Sequence, residues 1–173
     1  MKIPIVKLTS GYHELEYKEL PSVYGFENDK IFNKPVFSVV KVDKSVTHIY
    51  LQVESKTVGS FDCDRCLQDF GKELTGELKL YFEVTGSGGH FDPDIIEEEK
   101  NVNFRSYKAN EANIDLSDDI RDVLLLALPM KNLCSKNCKG FCPGCGNDLN
   151  QFECVCEKIT IDPRWDALKK LQL

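Results

Sequence analysis

Apolar and polar positions alternate strictly in two stretches of the first 85 residues. In "VTHIYLQVE" (Val46–Glu54) one face collects Thr47, Ile49, Leu51 and Val53, and the other Val46, His48, Tyr50 and Gln52. The stretch "KTVGSFDC" continues the pattern into Cys63. In "ELTGELKLYFEV" (Glu73–Val84), Leu74, Leu78, Leu80 and Phe82 fall at even positions. A period of two in residues rich in β-branched and aromatic side chains predicts half-buried strands. The gaps between the runs are short and turn-like, so the strands are expected to pair antiparallel, with Cys63 and Cys66 in or beside a hairpin connection.

The period changes in "NIDLSDDIRDVLLLALPM" (Asn113–Met130), which predicts a helix. Asp115 or Ser117 is placed to cap it, and Asp118, Asp119 and Asp122 lie where the helix dipole favours negative charge. Ile120, Val123, Leu124, Leu126 and Ala127 are expected to form its apolar face, and Pro129 to stop it. A second, short helix is predicted in "IDPRWDALKKL" (Ile161–Leu171), with Asp162 as cap, Pro163 at the first helical position, and Trp165, Leu168 and Leu171 at helical spacing. Together these elements predict an α+β fold. An antiparallel sheet packs with one main helix, beside a cysteine-rich zinc-knuckle satellite and the short C-terminal helix. The expected domains are 1–130, with a mobile acidic insert near 86–112, and 131–173.

Charge alters this picture in one place. The net charge is −6. Residues 86–123 hold ten acids and four bases, so that window carries the whole −6 and the remainder is balanced. The chain lacks the overall basicity of most nucleic-acid-binding domains. The longest apolar run, Val123–Leu128, is far shorter than the roughly 20 residues of a membrane helix. The N-terminus has no secretory apolar region. A cytoplasmic protein with no membrane partner is expected.

Eight cysteines carry the candidate chemistry: Cys63 and Cys66, Cys134 and Cys138, Cys142 and Cys145, Cys154 and Cys156. In a reducing compartment such pairs are metal ligands more often than disulfides. The turn "CPGCG" aims two thiolates at one point, and its glycines let backbone N–H groups approach sulfur. Zinc takes four such ligands in a tetrahedron. Cys142 and Cys145 are expected to share an ion with Cys154 and Cys156. Cys63 and Cys66 pair with Cys134 and Cys138 if the fold brings them together; otherwise Cys134, Cys138, Cys142 and Cys145 make one local site. An iron–sulfur cluster is a further reading of that four-cysteine run. A redox pair is disfavoured at Cys63–Cys66, because Asp62 and Asp64 would raise the thiol pKa.

A four-thiolate zinc is coordinatively closed and therefore structural. His13, His48 and His90 match no zinc-protease pattern, no nucleophile elbow occurs, and no small-molecule substrate is expected. Lys131, Lys136 and Lys139 form a small basic patch with no acid between Lys131 and Asn147. They either contact phosphate or balance the thiolates.

The segments "FDCDRCLQDF" (Phe61–Phe70), "CSKNCKGFCPGCGNDLNQFECVC" (Cys134–Cys156) and "IDPRWDAL" (Ile161–Leu168) resemble the YceD-like family. Cys63, Arg65 and Cys66 match its first motif, and the six remaining cysteines its second; Phe141 stands where many members have leucine. The resemblance implies a non-enzymatic factor in 23S rRNA processing and 50S subunit accumulation, which binds rRNA or a ribosomal or processing protein. Arg65, Lys131, Lys136 and Lys139 are the candidate contacts. The competing reading is an enzyme, a thiol oxidoreductase or an RNA-modifying enzyme using the Cys pairs.

Overall fold

The computed structural model describes residues 1–85, 102–108, 111–154 and 156. The chain forms two compact units, Met1–Phe61 with Gly71–Met130, and Asp62–Phe70 with the described residues from Lys131 onward.

The first unit is built on a five-stranded sheet in the order β2-β3-β4-β5-β6. The strands are β2 (Gly11–Glu19), β3 (Val36–Lys44), β4 (His48–Asp62), β5 (Asp69–Thr85) and β6 (Val102–Lys108). A short antiparallel pair joins β1 (Lys2–Ile3) to β7 (Ile114–Asp115). Single helical turns of the tighter 3-10 kind occupy Ile5–Lys7 and Pro21–Tyr24.

The predicted alternation is the one that folds. Ile49, Leu51 and Val53 of β4 are buried, while Val46, ahead of it, is 75% exposed. Leu74, Leu78, Leu80 and Phe82 of β5 are buried as well. The antiparallel register of β3 on β4 sets Val40 opposite Val53 and Val42 opposite Leu51, so their side chains pack on one face. Each such aliphatic side chain stabilises the fold by about 1.5–3 kcal/mol; Leu51→Ala is the single change that would open the centre of the sheet. Ser38 and Ser55 are also opposite and fully buried, and their hydroxyls hydrogen-bond each other at 2.8 Å. Both polar groups are thus satisfied inside an apolar layer.

The alternation that continues through "KTVGSFDC" forms a single strand, β4, unbroken from His48 to Asp62. The antiparallel sheet expected within residues 1–85 gains a strand that was not expected. β6 lies parallel to β5, with Tyr81 beside Phe104 and Val84 beside Tyr107, so the sheet is mixed. A parallel neighbour needs a crossover of about a dozen residues or more, and residues 86–101 lie between the two strands. Those residues, with 109 and 110, belong to the expected acidic insert and lie outside the described residues; Val102–Lys108, within the same stretch, form β6.

The main helix, α1, spans Ser117–Leu126. Asp115 acts just before it: its carboxylate accepts the N–H and the hydroxyl of Ser117 at 3.0 and 2.7 Å. Ile120 and Leu124 are buried, and Val123 lies so close to Gly76 that a Cβ there would meet its methyl at 2.7 Å. Leu126, expected on the apolar face, is 84% exposed. At about 100° per residue it lies on the far side of the helix from Leu124. Arg105 of β6 pairs with Asp119 through two hydrogen bonds. The predicted C-terminal helix falls outside the described residues.

Candidate metal centres

The second unit is organised by two turns with the same backbone. In the first, the connection between β4 and β5, Leu67 N–H reaches the Cys63 carbonyl at 2.9 Å, and Cys63 N–H reaches the Gln68 carbonyl at 2.9 Å. In the second, Gly146 N–H reaches the Cys142 carbonyl at 2.9 Å, and Cys142 N–H reaches Asn147 at 2.8 Å. Both turns close through a left-handed residue after the second cysteine, Leu67 at φ 55° and Gly146 at φ 73°. This conformation turns amide N–H groups onto the first sulfur of each turn. Arg65 and Cys66 amides reach Cys63, and Gly144 and Cys145 amides reach Cys142.

Around these turns the eight thiols gather into two groups of four. Cys63, Cys66, Cys134 and Cys138 form one, and Cys142, Cys145, Cys154 and Cys156 the other; within each, all sulfurs lie within 4.8 Å of one another. Of the open groupings, the structure has the long-range one. Cys63 and Cys138 sulfurs are 3.8 Å apart and those of Cys66 and Cys134 3.6 Å. Cys142 lies 3.2 Å from Cys154 and 4.0 Å from Cys156. A tetrahedral zinc with about 2.3 Å bonds sets its sulfurs about 3.8 Å apart, so both groups have the dimensions of such a site.

The first cluster is mostly enclosed. Cys63, Cys66 and Cys138 are buried, with Phe70 and Leu133 packed against them, and Cys134 is exposed. Asp64 fastens it to the chain ahead of Cys134: its carboxylate accepts Asn132 N–H at 2.7 Å, and its own N–H meets the Asn132 carbonyl at 2.8 Å. The second cluster is open, with Cys145 and Cys154 exposed and only Cys142 buried. A Cβ at Gly144 would come within 3.1 Å of the Cys156 sulfur and 3.8 Å of the Cys142 sulfur, so the cysteine side chains already take the space a side chain would need.

The charge balance within each group suits a cation. Backbone N–H bonds, from Cys134 above all, lower Cys63 to about 6, and the Cys145 and Gly144 amides do the same for Cys142. The rise expected at Cys63 from Asp62 and Asp64 is therefore not what the structure has: the amides outweigh burial, which pushes this thiol up. The Gln68 amide pulls Cys66 down, but burial and the three neighbouring thiols push it up to about 12. Cys145 and Cys154 together with burial push Cys156 up to about 12. One thiol per group is therefore ready to ionise and another resists it, as expected where four sulfurs crowd together.

The candidate contacts are placed differently from one another. Lys131, Lys136 and Lys139 are exposed. Arg65 is exposed too, but its guanidinium is engaged within the unit, donating Nη1–H to the Cys138 carbonyl at 2.6 Å. Two histidines bond within the first unit, His13 Nε2 at 2.8 Å from the Thr9 carbonyl and His48 Nδ1 at 2.9 Å from the Ser45 hydroxyl; His90 is outside the described residues. Two residues at the clusters escaped sequence reasoning. Leu67 occupies the position where "CPGCG" has glycine, and the aligned turns carried that signal. Asn150 places its amide nitrogen 3.4 Å from the Cys138 sulfur, and nothing local marks it.

Comparison with known proteins bears on the same segments. The family model described as "Large ribosomal RNA subunit accumulation protein YceD" matches residues 51–172, a span that contains all eight cysteines. An Arabidopsis thaliana protein, "Large ribosomal RNA subunit accumulation protein YCED homolog 1, chloroplastic", is 26% identical over 156 residues, which are 80% of this chain and 49% of that protein. Its Zea mays namesake is 38% identical over 52 residues, 30% of this chain and 18% of that protein. The chain thus spans about half the length of the first of these relatives and less of the second. No solved structure matches it. Among the described residues no helix is long and apolar enough to cross a membrane.

Proposed function

The chain belongs to the YceD family, and from that membership we propose that it serves the accumulation of large-subunit ribosomal RNA, as a binding factor rather than an enzyme. The observation that carries this reading is the match over residues 51–172, which spans both thiol clusters. The process in view is 23S rRNA processing and 50S subunit maturation. The protein works in a reducing compartment of cytoplasmic type.

The metal in this reading is zinc. Cys63, Cys66, Cys134 and Cys138 hold one ion, and Cys142, Cys145, Cys154 and Cys156 the other. Zinc supplies a closed tetrahedral cross-link, with every coordination position taken by thiolate. The chain's own groups do the rest. Amides of the two turns donate to sulfur, Asp64 and Arg65 lock the first turn to the Asn132–Cys138 segment, and Gly144 keeps the second cradle clear. Such a unit is a rigid platform. Lys131, Lys136 and Lys139 offer it exposed cationic contacts for rRNA or for a ribosomal or processing protein. If RNA is the partner, replacing the three lysines with glutamine weakens binding at any sequence and lowers the salt slope by up to about three units.

The second reading, a thiol oxidoreductase, draws on the lowered Cys63 and Cys142. Thiol titration of the native protein separates the two. Thiols masked until a chelator is added support structural metal; freely reactive thiols support redox work. Elemental analysis is expected to find about two equivalents of zinc, and less than about half an equivalent counts against the metal. The biological test is depletion, followed by sucrose-gradient profiles and rRNA end-mapping. A fall in 50S subunits with unprocessed 23S rRNA is expected; normal profiles sink the assignment.

A further inference from the structure

Asn150 belongs to the chain between Cys145 and Cys154 of the second cluster, yet its side chain serves the first. Its Oδ1 accepts the Lys139 backbone N–H at 2.8 Å. That amide can only donate, so the oxygen must face it and the nitrogen must face the other way. There Nδ2 meets two acceptors, the Cys138 sulfur at 3.4 Å and the Asp148 carboxylate at 2.8 Å. Asp148 Oδ1 also accepts the Asn150 backbone N–H at 2.9 Å, which fixes the turn that presents the amide. Two further links run alongside. Phe141 and Asp148 form an isolated antiparallel bridge, and Leu149 N–H reaches the Gly140 carbonyl at 2.9 Å.

We infer that the two thiol clusters are one coupled metal unit, in which the loop closing the second cluster places the Asn150 amide on the Cys138 sulfur of the first. The inference rests on reading both clusters as metal sites. A donor to a ligating thiolate stabilises its charge and fixes its direction, and loss of such outer contacts typically weakens metal binding 10- to 100-fold. The loop that carries Asn150 has little apolar core of its own. Gln151 and Phe152 beside it are exposed, and its shape depends on Cys145 and Cys154 being drawn to one ion. An ion in the second cluster therefore raises affinity in the first, and linkage makes the effect mutual. Release has an order as well. A chelator reaches the open second cluster first, and its loss loosens the ion in the enclosed one.

A double-mutant cycle on the full chain tests this, with zinc competed against a chromophoric chelator. Disabling the second cluster with Cys154→Ser and Cys156→Ser is expected to weaken zinc at the first by about tenfold or more. In the Asn150→Ala background the same pair of changes is expected to leave the first site unaltered. Cadmium-113 spectra of the loaded protein give a readout that mere packing would not move. Asn150→Asp keeps the side chain's size but sets an acceptor against the thiolate. It should shift only the first cluster's resonance and cost more affinity than Asn150→Ala. The same zinc affinity at the first cluster in all four members of the cycle overturns the coupling and leaves the metal reading intact. An equal loss in both backgrounds overturns the role of Asn150. Failure of either cluster to bind zinc, cobalt or cadmium overturns both the coupling and the metal reading.

Discussion

The turn at Cys63–Leu67 and the turn at Cys142–Gly146 make the same pair of backbone hydrogen bonds and end in the same left-handed conformation. Their surroundings differ. The first is the connection between two long strands, and its sulfurs are enclosed by Phe70 and Leu133. The second follows no strand, and two of its cluster's four thiols face solvent. The turn geometry that aims amides at sulfur is thus a five-residue property. Enclosure is not, and it decides how far each group of thiols is shielded from solvent.

The largest effect should come from breaking the enclosed cluster. Cys66→Ser leaves three crowded thiols and no closed site. Since a structural zinc supplies on the order of 10 kcal/mol to its local fold, residues 62–70 and 131–138 should lose hydrogen-exchange protection together. Cys145→Ser should confine its main loss of protection to 142–156. If both variants open the same residues to the same degree, the difference between the clusters is wrong. Gly144→Val comes next. Overpacking of this kind costs about 1–3 kcal/mol, and its branched side chain enters the space beside the Cys156 and Cys142 sulfurs. One equivalent of zinc should be lost by elemental analysis, with the first site still filled at saturating metal.

Exchanging the left-handed residues sharpens the comparison further. A non-glycine side chain in that conformation costs roughly 1–2 kcal/mol. Gly146→Leu should therefore destabilise the second turn by about that amount. Leu67→Gly should relieve the first, with a net gain near 0.5 kcal/mol after the roughly 0.5–1 kcal/mol entropy cost of glycine. Thermal melts of zinc-loaded protein check both signs.

The smallest effect lies in the first unit and tests whether the clusters stand apart from it. The Ser117 hydroxyl, with the Ser117 amide and the positive chain terminus, holds Asp115 below the usual carboxylate range. A lowered acid stabilises the fold above its unfolded pKa of about 3.9 and loses that contribution as pH falls through its folded value. Half of the Asp115 side chain is exposed, so solvent screening keeps the contribution below about 1 kcal/mol. Asp115→Asn should flatten acid unfolding of α1 at low pH by that much, followed by far-ultraviolet circular dichroism. At neutral pH its zinc content should stay unchanged.

Much of this was legible in the residues. The alternation through Ile49, Leu51 and Val53 named the buried face of β4, and "CPGCG" named its own turn. The orientation of β6 was not legible. "VNFRSYK" has no clean alternation, with Tyr107 its only fully buried side chain, and its direction depends on the path of the chain before it. Leu126 was misplaced because a run of three leucines hides which one faces inward, and α1 buries only Leu124 of the three. Asn150 was illegible because its function lies in a contact twelve residues away, across two turns.

By itself the sequence determined whatever is settled within about five residues: strand faces, the helix start near Asp115 and Ser117, and the turns that present Cys63 and Cys142. Those follow from local sterics and from hydrogen bonds between near neighbours. Only the tertiary structure decided that Cys63 and Cys66 meet Cys134 and Cys138, rather than leaving the latter pair to Cys142 and Cys145. That choice depends on where β4 and β5 deliver their connection. Spacing along the chain cannot encode it, because either grouping satisfies the same ligand chemistry.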